Sequence, residues 1–384
     1  MADWQTLPLG DALTFQRGFD ITKDDQRDGP YPVFSSSGPK TTHAEFKVRG
    51  PGVIIGRKGS LGTVFYSDGD YWPHDTTLWV KDFHGNHPRF AYYFLQTMGF
   101  ERLDAGASNP SLNRNHIHTI PVRWPKLSLQ RRIANILSAY DELMENSQRR
   151  IRILDETTRA LYREWFVHFR FPGYEKLPRV ASPLGDIPKG WEVKKLTHVA
   201  EVNRAQINAR NAPDEVHYID ISSVSPGQID TVTTYAFADA PGRARRIIQH
   251  GDVLWSCVRP NRRSHAQVMR PESNTIASTG FAVLTATKVP FTFLYFATTT
   301  DDFVAYLTNN ATGAAYPAVT AATFEKADLL VPPAPLLKKF GDATIPMAEQ
   351  IHTLQRQIQN LRWTRDLLLP RLLSGKQALK PLDP

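Results

Sequence analysis

The chain has 384 residues, 41% hydrophobic and 22% charged, with 46 Lys and Arg against 38 Asp and Glu. Such a composition describes a soluble globular protein of about two ordinary domains and excludes wholesale disorder, while the formal charge of +8 favours a polyanionic partner such as nucleic acid. The lone cysteine, Cys257, excludes an internal disulfide and a cysteine-built zinc site, and no apolar run is long enough for a membrane span. The N-terminus, MADWQTLPLGD, has no basic region followed by an apolar stretch, so it does not read as a signal peptide and a cytoplasmic location is expected.

In chain order, Trp4 opens WQTLPLGDALTF, and the β-rich runs YPVF, GVIIG, TVFY and TLWV follow it. RFAYYFLQTMGFERLDA, from Arg89, is apolar at helical spacing and leads into the loop GASNPSLN, Gly106 to Asn113. IPVRWPKLSLQRRI, from Ile120, starts a long helix. FRFPGYEKLPRVASPLGDIPKG, rich in Pro and Gly and without a period, reads as a linker. The series then begins again. Trp191 opens WEVKKLTHVAEV, HYIDI, DVLWS and FAVLTA read as strands, and FTFLYFATTTDDFVAYLTN reads as a helix before the loop GAAYPAVT, Gly313 to Thr320.

Trp191 stands 187 positions after Trp4, Asp252 stands 200 after Gly52, and Gly313 stands 207 after Gly106. From that loop onward the offset stays at 207, with ADLLVPPAPLLKKF facing IPVRWPKLSLQRRI. Internal repetition of this kind decides the fold class. The early part of each half drifts in length while the later part holds register, so each half pairs a variable globular domain with an element whose length matters.

That element is a helix. Ile351, Leu354, Ile358, Leu361, Arg365, Leu368 and Leu372 alternate spacings of three and four, and their equivalents are Met144, Ser147, Ile151, Leu154, Thr158, Leu161 and Trp165. This is a heptad seam, and two such helices in a repeated chain are expected to pair with each other. The helix-pairing set is Met144, Ile151, Leu154, Leu161, Ile351, Leu354, Ile358, Leu361 and Leu368, with Ser147, Thr158 and Arg365 making the coil imperfect. An amphipathic helix packed only on its own domain is the plainer alternative. The expected fold is mixed α/β (α+β): globular domain 1–125, central helix 126–170, linker and second domain 171–333, and C-terminal helix 334–376, with the helices antiparallel.

Catalytic motifs are missing. GRKGSLG, from Gly56, misplaces the lysine of a phosphate-binding loop, and Asn109-Pro110-Ser111-Leu112 lacks the second proline and aromatic of an adenine methyltransferase tetrad. His84, His87, His116 and His118 have no carboxylate or cysteine companions at metal-ligand spacing, and Glu45-Phe46-Lys47 is too common a tripeptide to mark a nuclease. No catalytic or metal-ligating residues are therefore expected, and no cofactor bound by this chain. Arginine forks, asparagines and hydroxyls suit guanine edges, adenine edges and phosphates. On that basis the candidate DNA-binding residues are Ser36, Arg57, Lys58, Ser60 and Asn113 in the first half. In the second they are Arg243, Arg245, Arg246, Arg259, Asn261, Arg262 and Arg263. Asn109 and Asn115 stand beside them. A solvated basic face without a partner is the bland alternative for each arginine.

PLGD near each domain start, YPVFSSSG, GVIIGRKGSLGTV, GASNPSLN, IPVRWPKLSLQRRIANIL, the helix running to REWFVHFRFPG, and GWEVKKL occur in that order. Together they resemble the specificity subunit of type I restriction–modification systems, over nearly the whole chain. The resemblance implies a non-catalytic subunit whose two target-recognition domains each bind half of a split, non-palindromic double-stranded DNA site. It also implies that the paired helices set the spacer and dock two adenine-N6 methyltransferase subunits, that restriction/translocase subunits join them, and that S-adenosylmethionine, ATP and Mg belong to those partners. On this view the two Gly-Ala loops hand each domain over to its helix. The family's Pro-Pro-Leu and Glu-Gln at the helix start are replaced here by Trp124-Pro125-Lys126-Leu127 with Leu129-Gln130, and by Pro332-Pro333 with Leu336-Leu337. Two other readings stand beside this one: a coiled-coil protein–protein scaffold with incidental basic charge, and a self-contained DNA enzyme.

Overall fold

A computed structural model describes residues 3–103, 111–208 and 210–375, in two compact units formed by 1–147 with 357–384 and by 148–356. In the first unit an antiparallel sheet runs in the order Thr14–Arg17, Thr77–Asp82, Gly52–Gly56, Val64–Ser67. Gly52–Gly56 is buried along its whole length, which explains why GVIIG is a continuous apolar run rather than an alternating one. The helix Pro88–Gln96 covers this sheet with Phe90, Phe94 and Leu95. Pro88 presets its first turn, and the His87 ring accepts the Phe90 N–H at 3.4 Å. The sequence suggested one helix through Ala105, but Thr97 ends it, Gly99 turns left-handed (φ +61°), and only a 3-10 turn, Phe100–Leu103, follows.

The second unit repeats the sheet as Ala200–Val202, Phe281–Ala286, Val253–Ser256, His265–Gln267, again with all neighbours antiparallel. It adds a second four-stranded sheet, Thr233–Ala236, Glu215–Ile219, Thr275–Ser278, Ala244–Ile247. The segment read as one helix from Phe291 is two, Phe291–Ala297 and Asp301–Asn309. Thr298 and Thr299 turn their hydroxyls back onto helix carbonyls, and Thr300 caps the second helix by accepting the Phe303 N–H. The Pro- and Gly-rich stretch read as a linker is anchored rather than loose. Phe171 and Ile187 are buried in the second core, and Phe169 and Phe171 pack on Trp191 at 5.3 and 5.4 Å.

The repeat carries its register into the structure. Trp4–Pro8 pairs with Pro121–Pro125, placing Gln5 opposite Trp124, and Glu192–Lys195 pairs with Asp328–Val331, placing Glu192 opposite Val331. From these second strands the chain enters the central helix, Leu127–Tyr162, and the C-terminal helix, Ala334–Leu373. The central helix widens into a π turn at Arg163–Val167.

The helices pair antiparallel within each unit. In the first, Arg365 donates to Asp141 at 2.6 Å, and Ile133 and Leu137 share a core with Leu372 and Leu373. In the second, Thr158 lies 3.4 Å from Met347 Sδ, and the Tyr162 and Phe340 rings are 6.1 Å apart. All nine expected pairing residues are buried or half-buried: Met144, Leu354 and Ile358 fully, and Ile151, Leu154, Leu161, Ile351, Leu361 and Leu368 partly. The buried hydroxyls of Ser147 and Thr158 donate to the carbonyls of Leu143 (2.8 Å) and Leu154 (2.7 Å), so the polar seam positions leave no donor unpaired.

Buried His265 tests the second core. Its ring lies 4.8 Å from Trp255, and burial, with Arg159 and Arg263 nearby, pushes its pKa down to about 4. A folded pKa below the unfolded value, about 6.5, means that stability is full above that pH and is lost as pH falls toward about 4. Asp252 acts with the opposite sign, because burial pushes its carboxyl up to about 6 against the Thr285 and Gln249 hydrogen bonds. Comparing variants separates the two. Between pH 7 and pH 4, His265→Phe is expected to lose about 3 kcal/mol less stability than the parent chain, read by thermal or urea unfolding.

Candidate nucleic-acid interface

In the first unit the buried strand Gly52–Gly56 delivers Arg57 and Lys58 to the surface at its end. Both backbone N–H groups donate to the Thr76 carbonyl, at 2.9 and 3.2 Å, and the Gly62 N–H donates to the Gly56 carbonyl at 2.9 Å. A Cβ at Gly56 would sit 2.1 Å from the Ser60 carbonyl oxygen and 2.7 Å from that of Ser36, so only glycine lets the three segments meet. The Ser36 N–H in turn donates to Thr76 Oγ1 at 3.3 Å. Ser36, Arg57, Lys58 and Ser60, scattered over 25 positions of sequence, thus share one small surface.

Three residues of this surface were not singled out from sequence. Asp75 receives Arg17 Nη2 at 2.7 Å and lies 3.0 Å from His74 Nδ1, while its carbonyl accepts Arg57 Nη1 at 3.3 Å. Burial raises the Asp75 pKa, but the Arg17 hydrogen bond and the charges of His74, Arg17 and Lys58 outweigh it and leave the carboxyl below its ordinary value. Burial and the neighbouring Arg17 lower the Arg57 pKa, with Asp75 opposing. Crowded cations of this kind gain from an arriving phosphate. The polar run His74-Asp75-Thr76 between two apolar strands was the signal available; Arg17 offered none. Among the described residues, Asp20, His74 and Asp75 are the ligand-type side chains whose atoms converge, within 4.8 Å, yet Arg17 already holds Asp75.

In the second unit the equivalent strand, Val253–Ser256, leads to a basic turn around Pro260–Arg262. Arg259 and Arg263 flank it with left-handed backbones (φ +51° and +56°), a strained choice for non-glycine residues that surrounding bonds must enforce. The Arg259 N–H donates to the Pro317 carbonyl at 2.7 Å, and the Arg263 N–H to that of Pro260 at 3.0 Å. The structure sorts the expected arginines. Arg259 Nη2 bonds the Ala315 carbonyl at 3.2 Å, Arg263 pairs with Asp301, and Arg245 folds onto the Ala244 carbonyl and the Phe237 ring. Arg246 is half-buried with its Nε unpartnered, and burial lowers its pKa. Arg243, Asn261 and Arg262 are exposed and, among the described residues, donate no side-chain hydrogen bond.

The repeated loops meet these strand ends. The Leu112 N–H donates to the Arg57 carbonyl at 3.0 Å, and Ser111 bridges Lys58. At the equivalent place the Val319 N–H donates to the Cys257 carbonyl at 2.9 Å, and Ala318 bridges Val258. Exposed Asn113 and Thr320 then cap two five-residue helices, Arg114–His118 and Ala321–Glu325. The loops do not pass the chain straight to the long helices, as expected from sequence. A short helix and a strand intervene, because the loop is spent on closing the basic surface. Gly106 to Pro110, with Asn109 among them, lie outside the described residues.

Residues 1–154 match the family described as the type I restriction modification DNA specificity domain. That match covers the first globular domain and much of the central helix, and relatives extend the likeness over the rest of the chain. Among curated relatives, the MjaIX specificity subunit of Methanocaldococcus jannaschii is 23% identical, aligned over 76% of this chain and 70% of that protein. The HindI specificity subunit of Haemophilus influenzae is 21% identical over 98% of this chain and all of that protein. In fold, the crystal structure of a type I system S subunit from M. genitalium superposes with a TM-score of 0.69 at 16% identity, covering 97% of this chain and 96% of that one. Among the described residues, no helix is long and apolar enough to cross a membrane.

Gly56→Ala should force the strand end away from Ser36 and Ser60. It is expected to destabilise the first unit by about 2 kcal/mol in thermal unfolding. Gly69→Ala, where a Cβ meets nothing within 4 Å, should leave the midpoint unchanged.

Proposed function

We propose that this chain, as a non-catalytic specificity subunit, reads a bipartite, non-palindromic site in double-stranded DNA, one globular domain (1–125 and 171–333) per half-site. The carrying observation is the strand-end junction built twice in one register while its side chains differ: Arg57 and Lys58 at one end, Cys257 and Val258 at the other. Two copies of one frame with different surfaces suit two different half-sites. Arg57, Lys58, Ser36, Ser60 and Asn113 serve the first; Arg243, Asn261 and Arg262 serve the second as exposed side chains, with Arg245, Arg246, Arg259 and Arg263 shaping the surface around them.

The paired helices 126–170 and 334–376 set the spacer. They also dock two methyltransferase subunits, to which restriction/translocase subunits are added. The chemistry belongs to those partners: S-adenosylmethionine supplies the methyl group for adenine N6, and ATP with Mg drives translocation and cleavage. The task left to this chain is to hold cationic and polar side chains at fixed positions, so that phosphates fix its register and base edges decide its address.

The test is co-expression with the methyltransferase encoded beside it, followed by mapping of methylated adenines across a host genome. The expected result is one bipartite motif, lost when the chain is omitted, of which exchange of residues 1–125 alters one half only. A complex that forms and methylates no chain-dependent motif would sink the DNA reading and leave the coiled-coil scaffold. On the mapped site, Arg262→Ala should reduce the slope of log affinity against log salt by about one, the loss of one phosphate contact, whereas Arg263→Ala, which loses the Asp301 pair, should act mainly on stability.

A further inference from the structure

We infer that Tyr316 is a specificity-determining residue of the second domain, packing the open face of its ring on a thymine C5-methyl group in the half-site. The inference rests on the DNA-reading function proposed above and names one contact within it. Tyr316 is 69% exposed, an unusual position for a large aromatic side chain, and it sits in the loop that closes the basic surface. It is held in place. The Arg259 guanidinium carbon lies 4.6 Å from the ring centroid, and that guanidinium is fixed by its bond to the Ala315 carbonyl next door. Gly313, left-handed at φ +100°, bends the loop so tightly that a Cβ there would come within 3.1 Å of the Tyr316 carbonyl oxygen. The Arg259 N–H to Pro317 carbonyl bond pins the following residue at 2.7 Å.

One ring face is therefore covered by a cation and the other is open. A side chain wedged between two base steps needs both faces, so intercalation does not fit this geometry. A single open apolar face, backed by the Arg259 cation, fits one flat or rounded apolar group on a base edge. In the major groove the group of that chemistry is the thymine methyl. Arg259 then serves as a positioning residue: it backs the ring and adds positive charge without reaching a base itself.

The experiment uses the full chain in complex with its methyltransferase, and a random duplex pool from which the bound motif is first selected. Each thymine of the motif is then replaced singly by deoxyuridine, which removes only the methyl group. For the parent chain one replacement, in the half that changes when residues 171–333 are exchanged, is expected to weaken binding about four-fold, the worth of one buried methyl group. Tyr316→Ala should bind the unmodified motif about four-fold more weakly and show no further loss on that replacement. Tyr316→Phe should keep the full thymine preference. Tyr316→Ala binding every duplex like the parent would overturn the contact. Equal loss on thymine and deoxyuridine duplexes at every position would overturn the thymine assignment. A parent complex that selects no motif removes the DNA reading and this inference together, whereas a selected motif without coupling removes this inference alone.

Discussion

Each compact unit of this protein completes its core with a helix end that arrives from the other half of the sequence. The first unit, begun at the N-terminus, buries Leu372 and Leu373 beside Leu137 and Trp124. The second buries Phe166, from the central helix, between Trp191, Phe293 and Phe340. Phe166 and Leu373 are 207 positions apart, so the same repeat position is used twice. Long helices gain stability from packing rather than from propensity. Here that packing can form only when both halves of the chain are present, and the seam between helices follows from the same demand. Insertions within the sheets are tolerated on the surface; an insertion in a helix would take its terminal side chain out of a core. That is why the sequence offset drifts from 187 to 207 before the loops and not after them.

The seam itself is not a dry hydrophobic zipper. Arg365 enters it to reach Asp141, which also accepts the Tyr93 hydroxyl from the helix lying on the first sheet. The pair is about three-quarters buried on both sides, so each charge depends on the other for solvation. Such a pair fixes which residues stand opposite, because a slip by one helical turn would strand two charges. Ser147 and Thr158 spend their hydroxyls on their own helix and so favour no particular partner. Specific pairing thus rests on a few places, while the apolar positions supply adhesion.

Much of this was legible in the residues. Periodicity located both helices, and the nine residues assigned to the seam are buried or half-buried, since a heptad pattern states directly which face is covered. The strands GVIIG and FAVLTA were readable for the same reason. What escaped was set by tertiary contacts. The break after Ala297 depends on threonine side chains choosing helix carbonyls, and the linker's anchoring depends on Trp191 offering its ring to Phe169 and Phe171. At the surface, sequence could gather arginines but not sort them. Four of the seven second-half candidates are occupied or buried by Ala315, Asp301, Phe237 and the half-buried setting of Arg246, none of which a single sequence places beside them. Arg17 was missed because an ion pair to a residue 58 positions away leaves no local trace, whereas Asp75 at least stood in a polar run between two apolar strands.

The strand-end junction shows how one frame can carry two different surfaces. Its defining bonds, Leu112 N–H to the Arg57 carbonyl and Val319 N–H to the Cys257 carbonyl, are made by backbone alone. Side chains at the junction are consequently free to change without breaking it. One copy places a guanidinium there; the other places a thiol whose pKa burial pushes up to about 11 and moves its cations two residues on, to Arg259 and beyond. A junction held by side chains would have tied the fold to one set of contacts. Because this one is held by amides, substitution of the side chains on its surface costs the frame little. The two copies can therefore differ in their surface side chains while the register that sets the helices stays fixed.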